Sequence, residues 1–157
     1  MKKIFMIVVL FATLSVQYCI AHFTTEAKPS ALLNSYYNLK NALVSSNTSM
    51  ATFCAAEFLN AVNASDKVKL NEESRTALRR NAITISKPKA LKVQREKFAA
   101  LSNDIFALAP KVKFSTESVY WQYCPMKKAS WLSNNNIIKN PYFSSAMFAC
   151  GSTKETL

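Results

Sequence analysis

The sequence predicts an all-α protein: an antiparallel four-helix bundle with a small strand- and loop-rich C-terminal cap. Three observations carry that prediction. The 157 residues include a single glycine, Gly151, where an average soluble domain of this length would hold roughly eleven. Between Pro29 and Pro110, apolar residues recur at three- and four-residue intervals in four consecutive segments. After Lys113 the texture changes, and Val119, Tyr120, Trp121 and Tyr123 bring residues that favour strands.

The first helix is expected to start at Pro29-Ser30 and to present Leu32, Tyr36, Leu39 and Leu43 on one face. Asn47-Thr48-Ser49 breaks it and offers a cap to the second, whose apolar stripe reads Met50, Phe53, Cys54, Phe58, Ala61 and Val62. Asn71-Glu72-Glu73 places negative charge at the start of the third, with Arg79-Arg80 toward its end, as the helix dipole prefers. Lys87-Pro88 separates the fourth, in which Leu91, Phe98 and Ile105 recur every seven residues, Leu101 and Leu108 interleave, and Pro110 closes the run. Four amphipathic segments with short connections bury their stripes most simply as a bundle. Residues 117–124 are expected to be extended, and the rest of the tail an irregular cap with one short helix near Ser144–Cys150, stopped by Gly151.

Lys2-Lys3, the apolar run Ile4–Leu14 and the small residue Ala21 have the layout of a secretory signal peptide. Residues 1–21 are therefore expected to be removed, leaving 22–157 as one helical domain exported to the periplasm. The apolar run is shorter than the roughly 20 residues a membrane span needs, and no later segment could span. Acylation of Cys19 is disfavoured because Tyr18 stands where a small residue should precede it. Export places Cys54, Cys124 and Cys150 where disulfides form.

Composition excludes several chemistries. One glycine forbids a P-loop or a G-x-G-x-x-G fingerprint, and one histidine, His22, forbids His-cluster zinc or copper sites. Cleavage would make His22 the terminal residue, where fraying is the ordinary fate and no second histidine completes a copper pair. No nucleophile–base pair can be assembled around it, so the protein is read as no enzyme. The excess of 20 Lys+Arg over 9 Asp+Glu concentrates between Arg75 and Lys113; for an exported chain it implies solvated helix faces or anionic partners, not nucleic acid.

The tail carries the distinctive chemistry. In Cys124-Pro125-Met126, an extended backbone would turn both sulfurs to one side. Met147 and Cys150, three residues apart, would share a helical face. If strand and helix pack together, Cys124, Met126, Met147 and Cys150 form a soft set that selects Cu(I). The alternative is a Cys124–Cys150 disulfide with both methionines as core filling; closing that loop is worth roughly 3.5 kcal/mol in the chain-entropy model. Cys54, on the apolar stripe, reads as a buried thiol.

Tyr123-Cys124-Pro125-Met126, Trp131-Leu132-Ser133, Asn140-Pro141-Tyr142-Phe143, Met147 and Cys150-Gly151, in that order and after Gln94-Arg95-Glu96-Lys97-Phe98-Ala99-Ala100-Leu101-Ser102, resemble a bacterial family known as domain of unknown function 3347. Its members are exported, alone or as C-terminal parts of copper and heavy-metal efflux adaptors. The resemblance implies a periplasmic copper-handling module, with a metal ion and an efflux or envelope protein as partners. Three departures qualify it. Lys97 stands where many members have one of several helix histidines, Ser144 replaces a glycine, and the segment from Met126 to Trp131 is short. The sulfur set survives, which implies Cu(I) over zinc or Cu(II).

Overall fold

The computed structural model describes residues 30–67, 70–109, 112 and 115–157. The expected signal peptide, Cys19, His22, Pro110, Lys111 and Lys113 lie outside the described residues. Four helices come first: α1 (Ala31–Val44), α2 (Thr48–Ala64), α3 (Glu72–Ile85) and α4 (Leu91–Leu108). Three start where a side-chain cap satisfies an orphan N–H. Ser30 Oγ accepts from Leu33 at 3.3 Å, Asn47 Oδ1 from Met50 at 2.9 Å and Asn71 Oδ1 from Ser74 at 2.9 Å. α4 begins after Pro88 with Ala90 at the cap position and no side-chain bond.

Each helix packs on the next in sequence, and α1 also touches α4. Leu32, Tyr36, Leu39 and Leu43 of α1 meet Phe98, Leu101, Ile105 and Leu108 of α4 in one core. The stripe of α2 is rotated from its expected position. Ala51, Cys54, Ala55, Phe58 and Val62 are buried, while Met50 and Phe53 are 48% and 62% exposed. Spacing alone allowed either edge of the stripe, and the small Ala51 and Ala55 let the neighbouring helices approach that side.

The cap is a three-stranded antiparallel sheet of β1 (Tyr120–Cys124), β2 (Ala129–Ser133) and β3 (Ser152–Thr156), in the order β2-β1-β3. The expected irregular tail is corrected here. β3 is exposed throughout, so no apolar alternation announces it, and backbone pairing to β1 recruits it. The expected helix at Ser144–Cys150 is only a 3-10 turn, Ser145–Met147.

Aromatic side chains seat the cap on the helices. Trp121 stacks on Phe106 with centroids 4.4 Å apart, and Phe98 lies between Tyr36 at 5.2 Å and Tyr142 at 6.0 Å. The Tyr36 hydroxyl accepts the Leu132 N–H at 3.1 Å and bonds Ser102 Oγ at 2.8 Å, so a buried polar group is satisfied on both sides of the seam.

Candidate functional site

β1 ends at Cys124, and Pro125–Lys128 form the hairpin turn to β2, with Cys124 paired to Ala129. On the other side of β1, Tyr123 pairs with Ser152. One step beyond that pair the chain preceding β3 must pass Cys124, and this brings in Cys150. The two sulfurs stand 2.9 Å apart.

Gly151 makes the approach possible. Its φ of +145° belongs to a region that side chains rarely adopt. A Cβ there would lie 2.9 Å from Trp131 Cη2 and 3.0 Å from the Tyr123 carbonyl oxygen. The one glycine of the chain therefore sits where β3 crosses closest to β1 and Trp131.

Asn140, fully buried, organises the opposite wall. Its Nδ2 donates to the Cys150 carbonyl at 2.7 Å, its N–H to the Phe148 carbonyl at 2.8 Å, and its Oδ1 accepts from Tyr142 N–H at 2.8 Å. Tyr142 then donates through its hydroxyl to the Ser130 carbonyl. Arg95 of α4 clamps the segment to the helices, donating to Pro141 O at 2.9 Å, Phe143 O at 3.0 Å, Leu43 O at 3.1 Å and Ser46 Oγ at 3.0 Å. Sequence reasoning placed Asn140 and Arg95 inside recognisable motifs and missed these roles; the signal it had was an Asn-Pro dipeptide that favours a turn.

The two thiols differ. Burial raises the Cys124 thiol, but hydrogen bonds from Cys150, the Lys127 N–H, the Asn140 amide and the Met126 N–H outweigh it and hold this sulfur toward the thiolate. Cys150 is pushed the other way, first because its proton is shared with Cys124 and then by burial. Cys124 is buried and Cys150 partly exposed. Cys54 is buried on α2, its thiol raised by burial and then by Glu57.

The expected methionine ligands are placed differently. Cys124-Pro125-Met126 is not extended, because the turn starts at Pro125; Cys124 is buried and Met126 is 69% exposed. Met147 ends the 3-10 turn and is half-buried, with its carbonyl accepting the Cys150 N–H at 3.1 Å. Among the described residues no group of three or more His, Cys, Asp or Glu could hold a metal. The two thiols, unbonded at 2.9 Å, stand wider apart than the roughly 2.05 Å of a disulfide and closer than a shared metal ion would hold them. With metal–thiolate bonds of about 2.3 Å, tetrahedral ligation needs sulfurs about 3.8 Å apart and linear ligation about 4.6 Å.

The basic stretch also divides. Arg75 is buried, and its guanidinium donates to the carbonyls of Val62, of Asn63 at 3.3 Å, of Ser65 at 3.0 Å and of Leu70 at 3.3 Å, closing the end of α2. Arg79, Arg80, Lys87, Lys89, Lys92 and Lys97 are exposed. No helix among the described residues is long and apolar enough to cross a membrane.

Residues 32–117, the helices and the approach to the sheet, match the family model described as protein of unknown function (DUF3347). The chain belongs to the DUF3347 family. The match ends before β1, so the DUF3347 segment supplies Arg95, Phe98 and Tyr36, while the thiol pair, Asn140 and Gly151 lie beyond it. No curated protein and no solved structure matches the chain.

Proposed function

We propose that the protein is a non-enzymatic, exported interaction module whose C-terminal cap is closed by a Cys124–Cys150 disulfide and which docks on an envelope or efflux protein. In this reading the four helices form an antiparallel bundle that serves as a rigid base. The observation that carries it is the 2.9 Å approach of the two sulfurs, imposed by the β1–β3 register and Gly151. The basic, then apolar, N-terminus supports an oxidising destination. Phe53 and Met50 on the outer face of α2 give such a module an apolar contact point.

A Cu(I)-handling module is the second reading. What favours it is the set of donors that stabilise a thiolate on Cys124, with the exposed Met126 thioether two residues away. It requires reduced protein in which the two sulfurs part by about 1 Å or more. Thiol counting in denaturant separates the readings, using protein without residues 1–21 recovered from an oxidising compartment. One alkylatable thiol, Cys54, is the result expected for the staple. Three thiols, two of them protected when Cu(I) is delivered from a competing chelator, would replace it with the metal module.

A further inference from the structure

Resting on the disulfide reading, we infer that the Cys124–Cys150 bond is an exchangeable one, opened by an external dithiol reductant that attacks Cys150 and expels Cys124. Three features set this direction. Cys150 is the accessible sulfur: it lies partly exposed at the rim of the cap, beside Phe148, which is 38% exposed, whereas Cys124 has no exposed surface. The donors gather on the other sulfur. Against its burial, hydrogen bonding to Cys150, the Lys127 N–H, the Asn140 amide and the Met126 N–H lowers the Cys124 thiol, whereas Cys150 is raised, first by its bond to Cys124. A leaving sulfur that arrives in a ready-made set of donors departs faster.

The third feature is the chain around each cysteine. Cys124 ends β1, the central strand, paired to Ala129 of β2 and one residue from the Tyr123–Ser152 pair with β3. Cys150 lies between a 3-10 turn and β3, which is exposed at every position. A mixed disulfide on Cys150 can therefore swing outward without breaking β1, and one on Cys124 cannot. The step balances. A reductant thiolate bonds to Cys150 Sγ, the Cys124–Cys150 bond breaks, and its electron pair leaves on Cys124. The reductant's second thiol, as thiolate, then displaces Cys150. Two electrons pass to the cysteine pair, and the reductant ends as a disulfide.

The test uses oxidised wild-type protein in native buffer. Limiting glutathione stands in for the first thiol, followed by acid quench, alkylation in denaturant and peptide mapping. The expected result is glutathione on Cys150 and the alkyl group on Cys124, in at least about tenfold excess over the reverse. Glutathione on Cys124, or an even split, overturns the inference and leaves the staple standing. A bond that dithiothreitol cannot open until denaturant is added does the same. Three free thiols before any glutathione is added overturn the disulfide reading, and the inference falls with it.

Discussion

Between Ala31 and Leu108 the side chains that meet in the core recur at helical spacing, and almost all are aliphatic or aromatic. Beyond Tyr120 the contacts that shape the chain are particular: one glycine, one asparagine, a thiol pair, and a tyrosine whose hydroxyl finds a strand carbonyl. The helical half can lose a methylene and still fold around the gap. The cap has few interchangeable contacts, so a substitution at one of those named contacts should act nearly all-or-none on local geometry. Phe98 belongs to both, stacking on Tyr36 and Tyr142. Phe98→Ala should therefore cause the largest loss, about 3–5 kcal/mol in urea unfolding, and should release the cap along with the helices. A change in near-ultraviolet tryptophan signal that follows unfolding of the helices at the same urea concentration checks the coupling.

Two changes confined to the cap come next. Cys150→Ser should cost roughly 3.5 kcal/mol in oxidised protein and little in protein kept reduced, so melts with and without reductant isolate the staple. An equal loss in both conditions would mean that Cys150 acts by packing alone. Gly151→Ala should cost about 2–4 kcal/mol, since strain at positive φ and overpacking against Trp131 and the Tyr123 carbonyl add. Unlike the cysteine change, its effect should persist when reductant is present.

The same contrast decides what could be read from sequence. Helix starts were legible because Ser30, Asn47 and Asn71 act within three residues of themselves. The α4 stripe was legible because period reports a face. Position on that face was less so: Met50 and Phe53 fit the α2 stripe equally well and are exposed. β3 and the role of Gly151 depend on pairing with β1, about thirty residues away in the chain, and no local pattern encodes a register of that kind. The cysteine pair was legible as an alternative only, because spacing gives candidates and register chooses between them. Arg75 and Arg95 were read as part of a solvated basic face. Arg75 is buried and Arg95 half-buried because tertiary packing presents them with carbonyls, which composition cannot forecast.

Buried cations sharpen the comparison at the seam. Arg75 spreads its fork over four carbonyls, whereas Lys40, 2% exposed, has the Ser133 hydroxyl at 3.3 Å and the Tyr37 ring at 5.9 Å. Burial, and then the Lys139 charge, lower the Lys40 ammonium from 10.5 to about 8. Between those two values the unfolded chain binds the proton and the folded one does not. Lys40 therefore makes stability rise with pH from about 8 to about 10. Below that window the folded state carries the full penalty. Lys40→Met should stabilise the protein at pH 7 by about 2 kcal/mol. The difference between wild type and variant should shrink as pH approaches 10, which is the quantity to measure, because the raised thiol and tyrosine groups act in the opposite sense at alkaline pH. A difference that stays constant with pH would mean that the Lys40 ammonium binds its proton equally well in the folded and unfolded chains, so that its burial carries no charge penalty.

The smallest expected effects lie in two turns, one in each half. Ser46, between α1 and α2, and Lys128, in the β1–β2 hairpin, both take positive φ, 54° and 51°. A residue with a Cβ pays about 1–2 kcal/mol for that conformation, and glycine returns part of the gain through its looser unfolded chain. Lys128 is exposed, so Lys128→Gly should stabilise by about 0.5–1 kcal/mol. Ser46 accepts a hydrogen bond from Arg95 at 3.0 Å, which is worth about 1 kcal/mol or more when the donor is charged. Ser46→Gly relieves the same strain and removes that bond, so it should come out near zero or slightly destabilising. Thermal melts of both variants, side by side, test this. If Ser46→Gly stabilises as much as Lys128→Gly, the bond to Ser46 contributes nothing and the Arg95 clamp rests on the Leu43, Pro141 and Phe143 carbonyls.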